Sequence, residues 1–128
     1  MKLLNGIPYF FIICLFFSFD NQTHVNNNAD AIIEMTNASK FVPSEITIST
    51  GDVVLWQNTS DLVHTVTCDP GEVINAKNVN LPEGAQPFNS GRMKPGTEFK
   101  HKFTKPGTYI YFCIPHEMTG MVGKVKVN

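Results

Sequence analysis

Thr108-Tyr109-Ile110-Tyr111-Phe112-Cys113-Ile114-Pro115-His116-Glu117-Met118-Thr119-Gly120-Met121, followed by Gly123-Lys124-Val125-Lys126-Val127, decides how this chain reads. A β-branched and aromatic run ends in a cysteine, a short loop carrying Pro115 and Gly120 follows, and a cleanly alternating strand closes the chain. Moving outward, Pro106-Gly107 turns into the first of these strands, and Pro95-Gly96 precedes Thr97 to Phe103, where Phe99 and Phe103 share a face. Val63-His64-Thr65-Val66-Thr67 reads as a strand stopped by Asp69-Pro70-Gly71. Val53-Val54-Leu55-Trp56 follows the Gly51-Asp52 turn, and Phe41-Val42-Pro43 leads into Glu45 to Thr50, with Ile46 and Ile48 on one face. No segment carries an apolar stripe at helical spacing. Short strands punctuated by Pro and Gly predict an all-β sandwich or barrel. The polar stretch Glu72 to Ser90 has no strong periodicity.

The chemistry gathers in the same stretch. Cys113, His116 and Met121 follow a Cys-x2-His-x4-Met spacing at the end of a strand, so one short loop can curl an imidazole and a thioether around a fixed thiol. His64, on an earlier strand, completes the set if the sheets pack face to face. A thiolate and two imidazoles with a weak axial thioether make the donor set suited to copper electron transfer, because soft sulfur favours Cu(I) and imidazole favours Cu(II). Met118 competes for the axial position, and the four-residue gap after His116 favours Met121. A zinc site built from Cys68, Cys113 and His116 is the alternative, although it lacks the paired spacing of structural zinc. Taken alone, Cys68 reads as a buried or free thiol, and His101, between Lys100 and Lys102, as a surface residue.

These motifs resemble the plastocyanin-like branch of the cupredoxins. The resemblance rests on Phe41-Val42-Pro43, Gly51-Asp52, Trp56-Gln57-Asn58, His64, Pro106-Gly107-Thr108-Tyr109, and Tyr111-Phe112-Cys113 through Val125. It implies a Greek-key sandwich of about eight strands, with one copper held by His64, Cys113, His116 and Met121. The implied activity is one-electron transport between redox proteins, such as c-type cytochromes or membrane electron-transfer complexes, by a monomer. Copper storage or delivery, and a membrane-tethered subunit of an oxidase, are the competing roles. One ligand set in one domain argues against a multicopper enzyme. Two features depart from the family pattern. Thr65 stands where an Asn commonly follows the first His, though its hydroxyl can tie the two ligand loops and its N–H remains available to the Cys113 sulfur. The Glu72 to Ser90 insertion is unlike the acidic recognition patch of plant plastocyanins.

The 128 residues suit one domain, and 42% hydrophobic against 16% charged residues suits a folded core. Ten Lys+Arg against eleven Asp+Glu, with no basic cluster, argue against a nucleic-acid binder. Residues 1–31 read as a signal peptide or an N-terminal anchor with a polar Asn-rich tether, and residues 32–128 as the copper-binding domain. Ile7 to Phe19 would reach ~20 Å as a helix, short of the ~30 Å hydrocarbon core, which fits a secretory leader. Cys14 is filler in that leader, and His24 lies in it or in the tether. Export to the periplasm, or to another extracytoplasmic or lumenal compartment, follows. Asn21, Asn37 and Asn58 begin Asn-x-Ser/Thr triplets, which matter only in a eukaryotic secretory pathway.

Pro115 has no N–H to offer the Cys113 thiolate, and hydrogen bonds to that sulfur tune the potential of a blue-copper site. Where Pro115→Ala creates a new N–H···S contact, the reduction potential rises. Voltammetry of the copper-loaded variant checks this, and an unchanged or lower potential counts against it.

Overall fold

A computed structural model describes residues 28–128. The expected leader, with Cys14, Asn21 and His24, lies outside the described residues apart from residues 28–31. Among the described residues nine strands form two sheets: β1 (Ala31–Met35), β2 (Phe41–Val42), β3 (Glu45–Ile48), β4 (Val53–Asn58), β5 (Thr67–Cys68), β6 (Phe88–Asn89), β7 (Glu98–Lys102), β8 (Gly107–Phe112) and β9 (Val122–Val127). One sheet runs β2-β1-β4-β7 and the other β3-β9-β8-β5-β6. Two pairings are parallel, β1 with β4 and β3 with β9. Among the described residues no helix is long and apolar enough to cross a membrane. The expected all-β sandwich is what the chain forms.

Alternation places one face of each strand in the core. Ile33 and Met35 of β1, Val54 and Trp56 of β4, and Tyr109 and Tyr111 of β8 are buried. Trp56 lies at the centre, edge-on to Tyr111 at 5.4 Å between ring centroids and tilted against Phe99 at 5.9 Å. Phe41 meets Tyr111 from the other side at 4.7 Å. Each fully buried side chain of this size contributes about 1.5–3 kcal/mol through burial. Gly123 sits opposite Tyr111 in the β8–β9 register, and a Cβ there would collide with the Tyr111 ring. The tyrosine therefore dictates the glycine.

Two segments differ from their sequence reading. The expected strand Val63 to Thr67 keeps regular pairing only at Thr67–Cys68. Upstream, His64 bridges Met93 through both backbone bonds, at 3.1 and 2.8 Å. Val66 N–H, by contrast, donates to the Ser90 hydroxyl instead of a carbonyl. This distorted run still lies along 88–93, so the polar insertion Glu72 to Ser90 ends as a sheet strand, with Phe88 in the core. His101 is not a surface residue of the Lys100/Lys102 face. It lies on the inner side of β7 with Phe99 and Phe103, stacked on Phe88 at 4.1 Å and edge-on to Phe103 at 4.8 Å. With the strand period of two, its odd position puts it with the phenylalanines.

Burial holds the His101 imidazole below the ordinary histidine value, and neither ring nitrogen has a hydrogen bond among the described residues. The unfolded chain therefore takes up this proton first as pH falls. The His101 contribution is intact above the ordinary histidine pKa of ~6.5, and it is lost as pH falls from there toward the lower folded value. His101→Phe keeps the stack on Phe88 and removes the titration. Its melting temperature should fall less than the parent's between about pH 7.5 and about pH 5. Parallel curves in differential scanning fluorimetry would contradict this.

Candidate metal centre

The site assembles at the end of the sandwich where β8 stops. Cys113 follows β8, and its N–H donates to the Met121 carbonyl at 3.0 Å, closing the loop between them. Within that loop Ile114–Thr119 winds as a 3-10 turn with Pro115 in its first turn, interrupted at His116, whose φ of −125° and ψ of 17° leave helical geometry. Gly120 ends the turn in the left-handed region at φ 83°, which favours glycine. The loop is thereby folded back so that Met121 N–H reaches the His116 carbonyl at 3.2 Å.

His64 approaches from the other ligand loop. Its Nδ1 lies 3.6 Å from Cys113 Sγ and 3.2 Å from His116 Nδ1, and Cys113 Sγ lies 3.4 Å from His116 Nδ1. The two rings are 4.9 Å apart between centroids and inclined by 60°. A point equidistant from these three atoms is about 2 Å from each, the length of bonds from a first-row metal to imidazole nitrogen. His64, Cys113 and His116 form a metal-competent cluster. Cys113, His64 and Met121 are fully buried, while His116 is half-buried. Met118 is 79% exposed, so the loop turns it outward and turns Met121 inward. A thiol and two imidazoles, with a buried thioether joined to the same loop, are a donor set that fits copper.

The surroundings hold this set in a binding-ready form. His64 Nε2–H donates to the Thr36 carbonyl at 3.2 Å, leaving the Nδ1 lone pair facing inward. Burial, and then the neighbouring His116, push the His64 pKa down, with the Thr36 carbonyl opposing them, so the ring is neutral at neutral pH. Burial raises the Cys113 thiol, opposed by the Thr65 N–H that donates to its sulfur at 3.3 Å. Metal binding must therefore displace the thiol proton. Thr65 also accepts the Ile114 N–H on its hydroxyl at 2.8 Å and contacts the Thr67 hydroxyl at 2.9 Å. The hydroxyl ties the two ligand loops together as the sequence predicts.

Cys68 stands apart. Its thiol donates to the Asn80 and Ile110 carbonyls at 3.4 Å, and burial pushes its pKa up to about 12. It is not in the cluster, which removes the zinc alternative of Cys68, Cys113 and His116. Asn58 is buried, its side-chain amide donating to the Leu62 and Met93 carbonyls at 2.8 and 3.0 Å, so it braces the loop before His64 and presents nothing to a glycosylating enzyme. Two residues near the site were not evident in the sequence. Thr36 acts through a backbone carbonyl, which carries no side-chain signature. Glu117 is a buried carboxylate inside the ligand loop, and its glutamate looked like any surface acid.

The profile described as copper binding proteins, plastocyanin/azurin family, matches residues 28–128. The chain belongs to that family. It is 36% identical over 91 residues to the chloroplastic plastocyanin of Silene latifolia subsp. alba, covering 69% of this chain and 52% of that protein. It is 35% identical over 93 residues to a plastocyanin of Scenedesmus fuscus, covering 73% and 91%. In three dimensions it is similar to a purple cupredoxin from Nitrosopumilus maritimus, with a TM-score of 0.61, 27% identity, and 77% of this chain and 100% of that chain covered. The chain thus spans about half the length of the first of these relatives and nearly all of the second.

Thr65→Val strips the acceptor from the part-buried Ile114 N–H and takes a partner from the buried Thr67 hydroxyl, together costing about 1–3 kcal/mol. Urea unfolding should show that loss, and Thr65→Ser should recover most of it.

Proposed function

We propose that this protein is a one-electron carrier that binds a single copper through His64, Cys113, His116 and Met121. The observation that carries this reading is the triangle of one sulfur and two imidazole nitrogens, with sides of 3.2 to 3.6 Å, built into the end of a β-sandwich. Copper, when bound, supplies a one-electron Cu(I)/Cu(II) couple with soft and borderline donors for both states. The chain's part is to hold those donors still. Strand β8 fixes Cys113, the Thr36 carbonyl fixes the His64 ring, and the Gly120 turn fixes His116 against Met121.

His116 is the half-buried ligand, and the apolar surface beside it in the loop supports brief docking of a redox partner there. Ile114 is 37% and Met118 79% exposed, and Pro115, between Ile114 and His116 in the chain, is exposed as well. Leu62, 37% exposed on the loop before His64, belongs to the same end of the sandwich. Small interfaces of this kind suit rapid turnover. C-type cytochromes or membrane electron-transfer complexes are the partner class, and the protein acts as a monomer without catalysis of its own. We read residues 1–31 as a signal peptide or an N-terminal anchor with a polar tether, which supports a place outside the cytoplasm, in the periplasm or another lumenal space, with residues 32–128 as the working domain. Storage or delivery of copper fits less well, because His64, Cys113 and Met121 are fully buried and an acceptor would reach the ion only past His116.

The test is the absorption spectrum of the copper-loaded chain, followed by stopped-flow mixing with a reduced c-type cytochrome. An intense visible thiolate-to-copper band that bleaches on mixing is the expected result. A colourless protein that hands its metal to apo-acceptors, with no electron exchange, overturns it.

A further inference from the structure

Glu117 stands between the two ligands His116 and Met121, yet it points away from them into the polar insertion. It is 3% exposed, and both carboxylate oxygens are engaged. Ile74 N–H donates to Oε2 at 3.0 Å and to Oε1 at 3.2 Å, Asn75 N–H to Oε1 at 2.9 Å, and Asn78 Nδ2 to Oε1 at 3.0 Å. The three donors come from one short segment that is shaped to converge. Asn75 caps the 3-10 turn Ala76–Asn78, its side chain accepting Lys77 N–H at 3.1 Å, and this turns two backbone amides and the Asn78 side chain toward one point. Hydrogen bonds to a carboxylate are about twice as strong as neutral ones. Within Ile114–Thr119, Glu117 is the buried residue.

We propose that Glu117 is a positioning residue of the metal centre, a peg that locks the ligand loop onto segment 74–78 and so holds His116 and Met121 in register. The inference rests on the copper-carrier reading for its consequence, but its geometry stands without a metal. The loop's internal bonds transmit the peg directly to the ligands. The Glu117 carbonyl accepts Gly120 N–H at 2.9 Å, and the His116 carbonyl accepts Met121 N–H at 3.2 Å and the Thr119 hydroxyl at 3.0 Å. If Glu117 shifts, the carbonyl that positions Gly120 shifts with it, and Gly120 sets the approach of Met121. The insertion thus becomes part of the metal site's frame.

The experiment compares Glu117→Ala, Glu117→Gln and Asn78→Ala with the parent, as full chains. In the copper-free proteins, amide exchange at Gly120 and Met121 should accelerate about tenfold or more in E117A. It should accelerate less in E117Q, which keeps one acceptor oxygen for Asn75 and Asn78, and less in N78A, which removes one donor from outside the loop. In the copper-loaded proteins, extraction of copper by a Cu(I) chelator should accelerate in the same order. Faster exchange confined to Ile74 and Asn75, with Gly120, Met121 and copper release unchanged, overturns the proposal, since Glu117 would then only hold the insertion. Should E117A fail to fold, N78A decides by the same two readouts. A parent that gives no visible copper band sinks the carrier reading, while the copper-free exchange still decides the role of Glu117.

Discussion

Everything in this molecule answers to the crowding of one thiol and two imidazoles into a triangle with sides of 3.2 to 3.6 Å. Three polar groups brought together away from water gain little from one another and lose their hydration, so the arrangement must be imposed from outside. The fold imposes it twice. The His64 ring is neutral because burial disfavours its charge, and its orientation is set by a carbonyl on the far side. Cys113 is held by the strand it ends, with a backbone N–H already aimed at its sulfur. A metal held in this triangle would offset that lost hydration with bonds to donors already in place.

That imposition needs a stiff frame, and the aromatic core supplies it. Trp56 and Tyr111 meet edge-on between the two sheets, Phe41 and Phe99 close the flanks, and Gly123 lets the Tyr111 ring lie flat on its cross-strand neighbour. Close packing of this kind transmits displacement instead of absorbing it. Tyr111 is two residues from Cys113, so the sulfur inherits the rigidity of the core directly. The second ligand loop is joined to the first by Thr65, whose hydroxyl and N–H serve Ile114 and Cys113 at once.

The parts legible in the sequence were those written in side chains at short range. Alternation gave β3, β4, β7, β8 and β9 nearly in full, and the Cys-x2-His-x4-Met spacing brought together Cys113 and His116 as the structure does. What stayed hidden was written in backbone or in distant pairing. β1 has only Ile33 and Met35 to mark it, beside an Asn-rich flank, and its partner β4 is some twenty residues away. His101 looked solvated because its lysine neighbours flank it, and only the period of the strand reveals that it shares a face with Phe99 and Phe103. Phe88 was lost in a polar stretch. The Thr36 carbonyl has no sequence signature at all, and Glu117 is invisible as a peg until the amides of Ile74 and Asn75 are seen to converge on it.

The four candidate ligand residues also differ in one respect that bears on how such a site works. His64, Cys113 and Met121 are fully buried, and only His116 reaches toward solvent. His64 spends its outer nitrogen on Thr36, whereas the outer nitrogen of His116 has no hydrogen bond among the described residues. One imidazole is therefore locked into the protein and the other is left at the boundary. Burying all four would insulate the centre from any partner, and exposing two would admit water and loosen the geometry. A single exposed ring edge, set among apolar side chains, keeps the donors dry while leaving one short route outward. The same asymmetry places the greatest mechanical demand on the His116 loop, because it is the side of the site least covered by the core. That is where the chain inserts a buried carboxylate and closes it with donors from a segment otherwise remote from the chemistry.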